Sequence, residues 1–409
     1  MISRRRSDQL EVGVTYWPAA VGPYMWHEFH ADTVRRDLAA IAAQRVRTVR
    51  IMLSWDAFMP TDRAPNPHRM RDLEILLTAA RELQLHIVLT LFGQSIGDCV
   101  MLPAYAIDRR APRRGVRCVT DARVVDGGPR DIYKDPLMLE AQVRWLDALL
   151  AGFASHPAIA AWELGHDPAS TIRPARIADM DGWAALLAER VHAQEEECRL
   201  TLGQGDVLRG HAVRLAAIAE HVDALGLAVQ PQRLPLPGGP LEPGRAVFTV
   251  ELAQALAGAS VPLVVELGIA SGEPAATGSD DMGVADRVTA PGDVAGRRCD
   301  EILQRLITSG VAGVHCASWS DWGERLLEAP PSDRMPWQAR LGIVDSAGVS
   351  KHIARAWESA ITPERTVATP TLYPAAIDVE SYYANLPESL LDLHASWQGD
   401  QGGGPAILD

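Results

Sequence analysis

The chain has 409 residues, 47% of them hydrophobic, so it can bury a sizeable core; α/β barrels with insertions often exceed about 250 residues as one domain. Lys plus Arg total 39 against 52 Asp plus Glu, and the net charge of −13 argues against a nucleic-acid partner, leaving the N-terminal RRR cluster as solvated tail. No apolar run reaches the roughly 18 residues that a bilayer span requires, so a membrane role is not expected. The basic start has no apolar segment after it, which predicts a cytoplasmic protein, or a secreted one if a leader has been removed. Five cysteines show no CxxC pair and no zinc-ligand spacing, so neither metal nor cofactor is expected. Cys99 and Cys118 could pair in an oxidising compartment, but an odd total fits reduced thiols better.

In chain order, EVGVTYW (11–17) predicts a first strand with an aromatic exit. Residues 31–44 place Val34, Leu38 and Ile41 on one helical stripe, and VRTVRIMLSW (46–55) returns to a strand pattern. A helix over 70–83 and a strand over 85–92 follow, then a long irregular loop from Gly93 to about Arg130, of the length that marks a lid or a functional segment. The helix predicted over 135–153 feeds HPAIAAWELGHDP (156–168), a nearly continuous apolar strand that Pro168 ends, leaving His166 and Asp167 at its tip. Further strands are predicted at 199–204, 223–230, 261–268 and 311–319. Helices around Trp183, over 211–220 and 247–258, and around Leu303 separate or follow them, and Ser350 is read as the cap of a last helix holding Ile353 and Trp357.

Eight strand–helix alternations predict an α/β fold of the (β/α)8 TIM-barrel type with long βα loops. A doubly wound open sheet is the second choice, for which no strand–GxGxxG–helix fingerprint is found. The expected organisation is a tail at 1–10, one barrel at 11–360, and a C-terminal extended strap at 361–409 ending in a GGGP tail.

Asp167 ends the fourth strand and Glu266 ends the seventh. Carboxylates there face one another across a barrel mouth, and two opposed carboxyl groups are what glycoside hydrolysis uses. A bland reading stands beside each: Glu266 as a buried carboxylate paired with Arg50, Asp167 as a cap on the following helix, and Trp319 and Trp322 as core. Trp17, Tyr24 and Trp55 suit sugar stacking or core packing equally. The run His27 to His30 lacks the HExxH spacing of a zinc helix and fits a loop or substrate contacts.

Several stretches resemble the retaining glycoside hydrolases of clan A, particularly the family 5 cellulase and mannanase type. IYKDP (132–136) followed by HPAIAAWELGHDP is similar to that family's fourth strand ending W-x-L-x-N-E-P. VPLVVELG (261–268) resembles its nucleophile strand, VRIMLSW its second strand, and SWSDW (318–322) with LGIVDSAGVSKH (341–352) its eighth-strand region. The resemblance spans about residues 11–360. It implies Glu266 as nucleophile, Asp167 as acid/base, Arg50 orienting the nucleophile, Trp319 as a stacking floor, and His166, Trp17, Trp55 and Gln230 as substrate contacts, with a β-linked carbohydrate as substrate and no protein partner identified. The chain departs from the pattern where His166–Asp167 replaces Asn–Glu and Ala228–Val229–Gln230 replaces His-x-Tyr. Asp is shorter than Glu by one carbon–carbon bond, roughly 1.5 Å. The alternative implied by these departures is a carbohydrate-binding or scaffolding protein on the same barrel that has lost turnover.

Overall fold

In a computed structural model, residues 9–93, 95–272, 289–361, 365–369 and 377–400 are described. Eight parallel strands close into a barrel: β1 (Glu11–Thr15), β2 (Thr48–Met52), β3 (His86–Phe92), β4 (Ile159–His166), β5 (Cys198–Gly203), β6 (Ala224–Val229), β7 (Leu263–Leu267) and β8 (Gly313–Cys316). Each strand pairs with its neighbour in sequence, and β1 closes the ring against both β2 and β8. Helices α1 (Ala31–Ala43), α2 (Pro67–Glu82), α3 (Pro136–Phe153), α4 (Ile177–His192), α5 (Leu215–Ala219), α6 (Pro243–Ala257), α7 (Gly292–Thr308) and α8 (Ala354–Ala360) follow the strands in turn. No helix among the described residues is long and apolar enough to cross a membrane.

Local chemistry fixes the helix starts. Asn66 and Asp135 accept the amides of His68 and Leu137, and each is followed by a proline whose missing N–H costs nothing in a first turn. The inward positions of the strands, by contrast, are unusually polar for a barrel. Near the N-terminal end, Arg199 donates to both oxygens of Glu11 at 2.9 and 3.1 Å, and His315 contacts the same carboxylate. The His315 ring occupies the space beside Gly13, where a Cβ would come within 2.6 Å of its Nε2, so this barrel layer requires glycine on β1.

Three expectations are corrected. The segment 93–130 is not irregular: Ser95–Ile96, Cys99–Met101, Arg117–Thr120 and Arg123–Val125 form a four-stranded sheet, and Ile107–Asp108 pairs with Gly128–Pro129. Strands of two to four residues are too short to show a periodicity, yet Cys99, Val100, Cys118 and Val119 are all buried by the pairing. Both of those cysteines are free. The predicted strand over 311–319 splits, Gly313–Cys316 staying in the barrel while Ser318–Ser320 pairs with Gly342–Val344. Ser350 caps nothing, because α8 begins four residues later at Ala354 and Ser350 instead bridges to Val344.

The C-terminal strap is helical over much of its described length. Helices α9 (Val379–Ala384) and α10 (Glu388–Asp400) pack on the barrel's outer ring. Asp378 caps α9, the hydroxyl of Tyr382 donates to the Val207 carbonyl at 2.8 Å, and the Trp397 indole donates to Glu251 at 2.6 Å. Leu390, His394 and Trp397 fall on one face of α10 at helical spacing, a pattern hidden by the acidic and glycine-rich composition around it. The N-terminal RRR cluster, the GGGP tail and residues 273–288 lie outside the described residues.

Candidate active site

Glu266 stands one residue from the end of β7 and is held from three other strands. Thr15 on β1 donates to its Oε2 at 3.1 Å, Arg50 on β2 donates to the same oxygen, and His166 at the tip of β4 lies 3.0 Å from its Oε1. Burial pushes the carboxyl group up, but the positive charges of His166 and Arg50 outweigh it and bring its pKa down to about 2. Glu266 is therefore ionised throughout the neutral range. Burial alone would lower the pKa of His166; the facing Glu266 reverses this and raises it.

Beneath Glu266 lies an ionic layer. The second terminal nitrogen of Arg50 donates to Glu163 at 3.0 Å and to the Thr201 hydroxyl at 3.2 Å, so one guanidinium on β2 ties β4 to β7. Thr201 and Thr90 donate their hydroxyls to the two oxygens of Glu163, which completes its shell. Burial opposes the charge on Glu163, yet Arg50 and His166 keep its pKa below the usual range. The fork of Arg50 thus fixes the rotamer of Glu266 from below.

Asp167 is positioned differently. Its backbone is left-handed, with φ 49° and ψ 53°, a region a non-glycine residue enters at some cost but aspartate tolerates better than most. That turn directs the carboxyl group toward Gly203 at the end of β5, where an added Cβ would sit 2.5 Å from it, and Ser170 donates to Oδ2 at 2.6 Å. Burial raises its pKa first and the nearby Asp206 raises it further, against Ser170, His166 and His211, to about 7. The two strand-end carboxyl groups are thus pushed in opposite directions by their surroundings.

Both open onto one cavity of about 470 Å³ at the C-terminal mouth of the barrel. Trp17, His166 and Gln230 also line it, as expected from the sequence. Two expected contacts do not. Trp55 is buried in an aromatic cluster with Phe92, Tyr105 and Trp145. Trp319 faces away between Gln44, Ile343 and Trp357, because alternation along Ser318–Ser320 sends Ser318 to the cavity side and Trp319 to the other. Trp322, three residues on, supplies an aromatic wall instead. Of the bland readings, the pairing of Glu266 with Arg50 is present together with its exposure to the cavity. Asp167 precedes the short helix Pro168–Thr171 without its side chain capping it. His27 pairs with Asp56 at 3.1 Å.

Sequence reasoning passed over Glu163, Thr90 and Thr201. The available signal was a glutamate in the middle of a strand that is otherwise apolar: such a group, buried, requires a cation, and Arg50 sits at the inward position of β2.

The close approach of Asp167 to Gly203 has a measurable consequence. Gly203→Ala forces the carboxyl group out of its burial, so its pKa is expected to drop from about 7 toward the ordinary aspartate range, as read by carboxyl-carbon NMR titration; an unchanged value would mean that Gly203 does not set it.

No protein-family model matches the sequence, and no curated protein does. Solved structures do match. A GH5_18 protein from Streptomyces cattleya in complex with GlcNAc is 19% identical, with a TM-score of 0.69 over 90% of this chain and 83% of that one. A GH5_18 protein from Bifidobacterium longum subsp. longum is 16% identical with a TM-score of 0.70, covering 88% and 81%. An exo-beta-1,4-mannosidase from an Opitutaceae bacterium is 19% identical with a TM-score of 0.67, covering 86% of this chain but 59% of that one. The eight-stranded barrel of this chain is therefore the fold on which GH5-type glycoside hydrolases are built.

Proposed function

We propose that the protein is a glycoside hydrolase that cleaves a β-linked glycoside by retaining double displacement, on a barrel formed by residues 11–360. The observation that carries this reading is the placement of two strand-end carboxyl groups on one cavity in opposite surroundings: Glu266 is paired with Arg50 and His166, which lower its pKa, while Asp167 is buried near Asp206, which raises its pKa. Pairs of titratable groups driven apart in this way divide into a permanently charged partner and a proton carrier. The structures similar to this chain include an exo-beta-1,4-mannosidase and GH5_18 proteins with sugar ligands, which supports carbohydrate as the substrate class.

In the first step the Glu266 carboxylate attacks the anomeric carbon, the bond to the leaving oxygen breaks, and that oxygen takes the proton of Asp167. In the second, the Asp167 carboxylate removes a proton from water, the resulting oxygen bonds to the anomeric carbon, and the ester bond to Glu266 breaks. Arg50 and Thr15 orient Glu266 without touching the sugar, His166 is placed to donate to a ring hydroxyl beside it, and Trp17 and Trp322 offer apolar faces to the ring. Turnover needs Asp167 protonated, so kcat/KM is expected to fall about tenfold per pH unit above about 7.

The imidazole of His166 on Glu266 is the observation that favours the binding-only alternative, since a cation on the nucleophile weakens its attack. The deciding experiment incubates the protein with activated 2-fluoro glycosides of several sugars, followed by intact-mass measurement and peptide mapping. A glycosyl adduct on Glu266, and retention of configuration in the product of an aryl glycoside by NMR, would establish the proposal. Sugar binding without adduct or turnover across the series would establish a protein that only binds.

A further inference from the structure

The cavity is charged in a way the rest of the chain is not. Among the described residues, five arginines line it, Arg113, Arg114, Arg173, Arg209 and Arg233, against two carboxylates, Asp167 and Glu266, although the whole chain carries a net charge of −13. The arginines come from four consecutive loops: two from the segment after β3 and one each from those after β4, β5 and β6. Since β3 to β6 are adjacent in the barrel, these loops form an arc over one side of the mouth, and Trp17 and Trp322, which follow β1 and β8, stand on the other.

Among the described residues none of the five is paired with a carboxylate. Elsewhere in the same chain arginines are routinely neutralised, as in Arg117 with Asp98 and Asp333, Arg190 with Asp147, and Arg214 with Glu380. Two of the five are nonetheless held in place: Arg113 donates to the Thr171 carbonyl at 3.3 Å, and Arg233 donates to Gln230 at 3.2 Å while stacking 4.9 Å over the Trp337 ring. Burial and then the like charge of Arg209 lower the pKa of Arg233, so the arc is crowded with positive charge that nothing in the described chain offsets. Guanidinium groups present planar forks that match carboxylate, sulfate and phosphate. A cavity of about 470 Å³ admits a small saccharide but no duplex or protein segment of size.

We propose that the saccharide taken by this site carries an anionic substituent, a carboxylate, sulfate or phosphate, whose charge is received by the arginine arc while a sugar face lies toward Trp17 and Trp322. The inference rests on the glycosidase reading only for the sugar; the preference for charge concerns binding and stands apart from turnover.

The test measures binding by titration calorimetry with the full chain, so its outcome does not depend on chemistry. The probes are cellobiose and three charged counterparts: the uronate-terminated disaccharide, the 6-sulfate and the 6-phosphate. At 50 mM salt at least one charged probe is expected to bind tenfold or more tighter than cellobiose, the advantage shrinking at 500 mM salt as ionic contacts are screened. Which of the three gains most identifies the anion. In the triple variant Arg113→Gln, Arg209→Gln, Arg233→Gln the ratio of charged to neutral affinity is expected to approach one, with circular dichroism reporting an intact barrel; Arg233→Lys alone, which keeps charge but not the fork, should retain part of it. Equal affinity for charged and neutral probes, or a preference that survives the triple variant, overturns the proposal. Charge-selective binding in a protein that forms no 2-fluoro adduct would instead sustain it and remove the hydrolase reading.

Discussion

Glu266→Gln is expected to lower turnover of an activated aryl glycoside by on the order of 10⁴–10⁶-fold, the range seen when a covalent nucleophile is removed. The amide has nearly the shape of the carboxylate, so it keeps the Thr15 hydroxyl within reach, and Arg50 keeps Glu163 as its counterion. Folding should survive, and a loss of activity then reports chemistry. The assignment is sharpened by Glu266→Ala with azide. If Glu266 is the nucleophile, azide enters the space it vacates, attacks from its side of the ring, and gives the α-glycosyl azide from a β-glycoside in one inverting step. If it only supports the site while another group attacks, azide produces no such product. An α-azide with recovered rate supports the assignment; a variant with wild-type turnover excludes it.

The same loss would follow trivially from a collapsed site, so the contrast with Asp167 matters. If Asp167 is the proton carrier, Asp167→Asn removes it and leaves Glu266 intact, and an acid supplies roughly 10²–10⁴-fold. Substrates whose leaving groups need no proton should lose less. The shorter side chain bears on this directly: an aspartate at this position has its carboxyl group drawn back by about one carbon–carbon bond, and the left-handed backbone at Asp167 together with the absence of a Cβ at Gly203 decides where that group points.

How much of this could be read from the chain differs by level. All eight strands and their helices were legible, because parallel strands buried on both faces are nearly continuous apolar runs and the helices between them repeat every 3.6 residues. Glu266, Asp167, His166 and Gln230 were legible as strand-end residues, since a strand's end in this fold is a place as well as a boundary. What failed was orientation. Trp319 and Trp322 look interchangeable in SWSDW, and a one-residue difference in phase puts Trp319 outside the cavity and leaves Trp322 inside it. Trp55 follows the second strand as a stacking residue would, but the chain turns at once into the short helix Trp55–Phe58 and buries it against Trp145. The arginine arc was invisible for another reason: its members lie up to 120 positions apart in sequence, from Arg113 to Arg233, and only the order of strands around the barrel makes them neighbours.

Arg50→Met is the change expected to cost the fold most. The guanidinium is fully enclosed and is the cation shared by Glu163 and Glu266, so its removal leaves Glu163 without its ion-pair partner and Glu266 with His166 alone. Breaking a buried pair in this way costs about 3–5 kcal/mol. With an unfolding entropy of about 2.1 cal/mol/K per residue, that corresponds to a fall in Tm of roughly 4–6 °C for a chain this long, measurable by calorimetry. The pH dependence separates an electrostatic cause from lost packing. The Glu266 carboxyl group is held at about 2, below its usual 4.5, so its ionised form contributes stability that is complete above pH 4.5 and is lost as pH falls toward 2. Glu163 is shifted in the same direction by the same cation. Without Arg50 that contribution shrinks to what His166 and Thr15 still supply and both groups protonate more readily, so the gap between wild type and variant should be widest near neutrality and narrow as pH falls through 4.5. Arg50→Met combined with Glu163→Gln should recover part of the loss at pH 7, since one uncompensated charge is removed with its partner. A deficit that is the same at pH 7 and pH 4, and that Glu163→Gln does not relieve, would place the role of Arg50 in packing rather than in holding two carboxylates in one barrel.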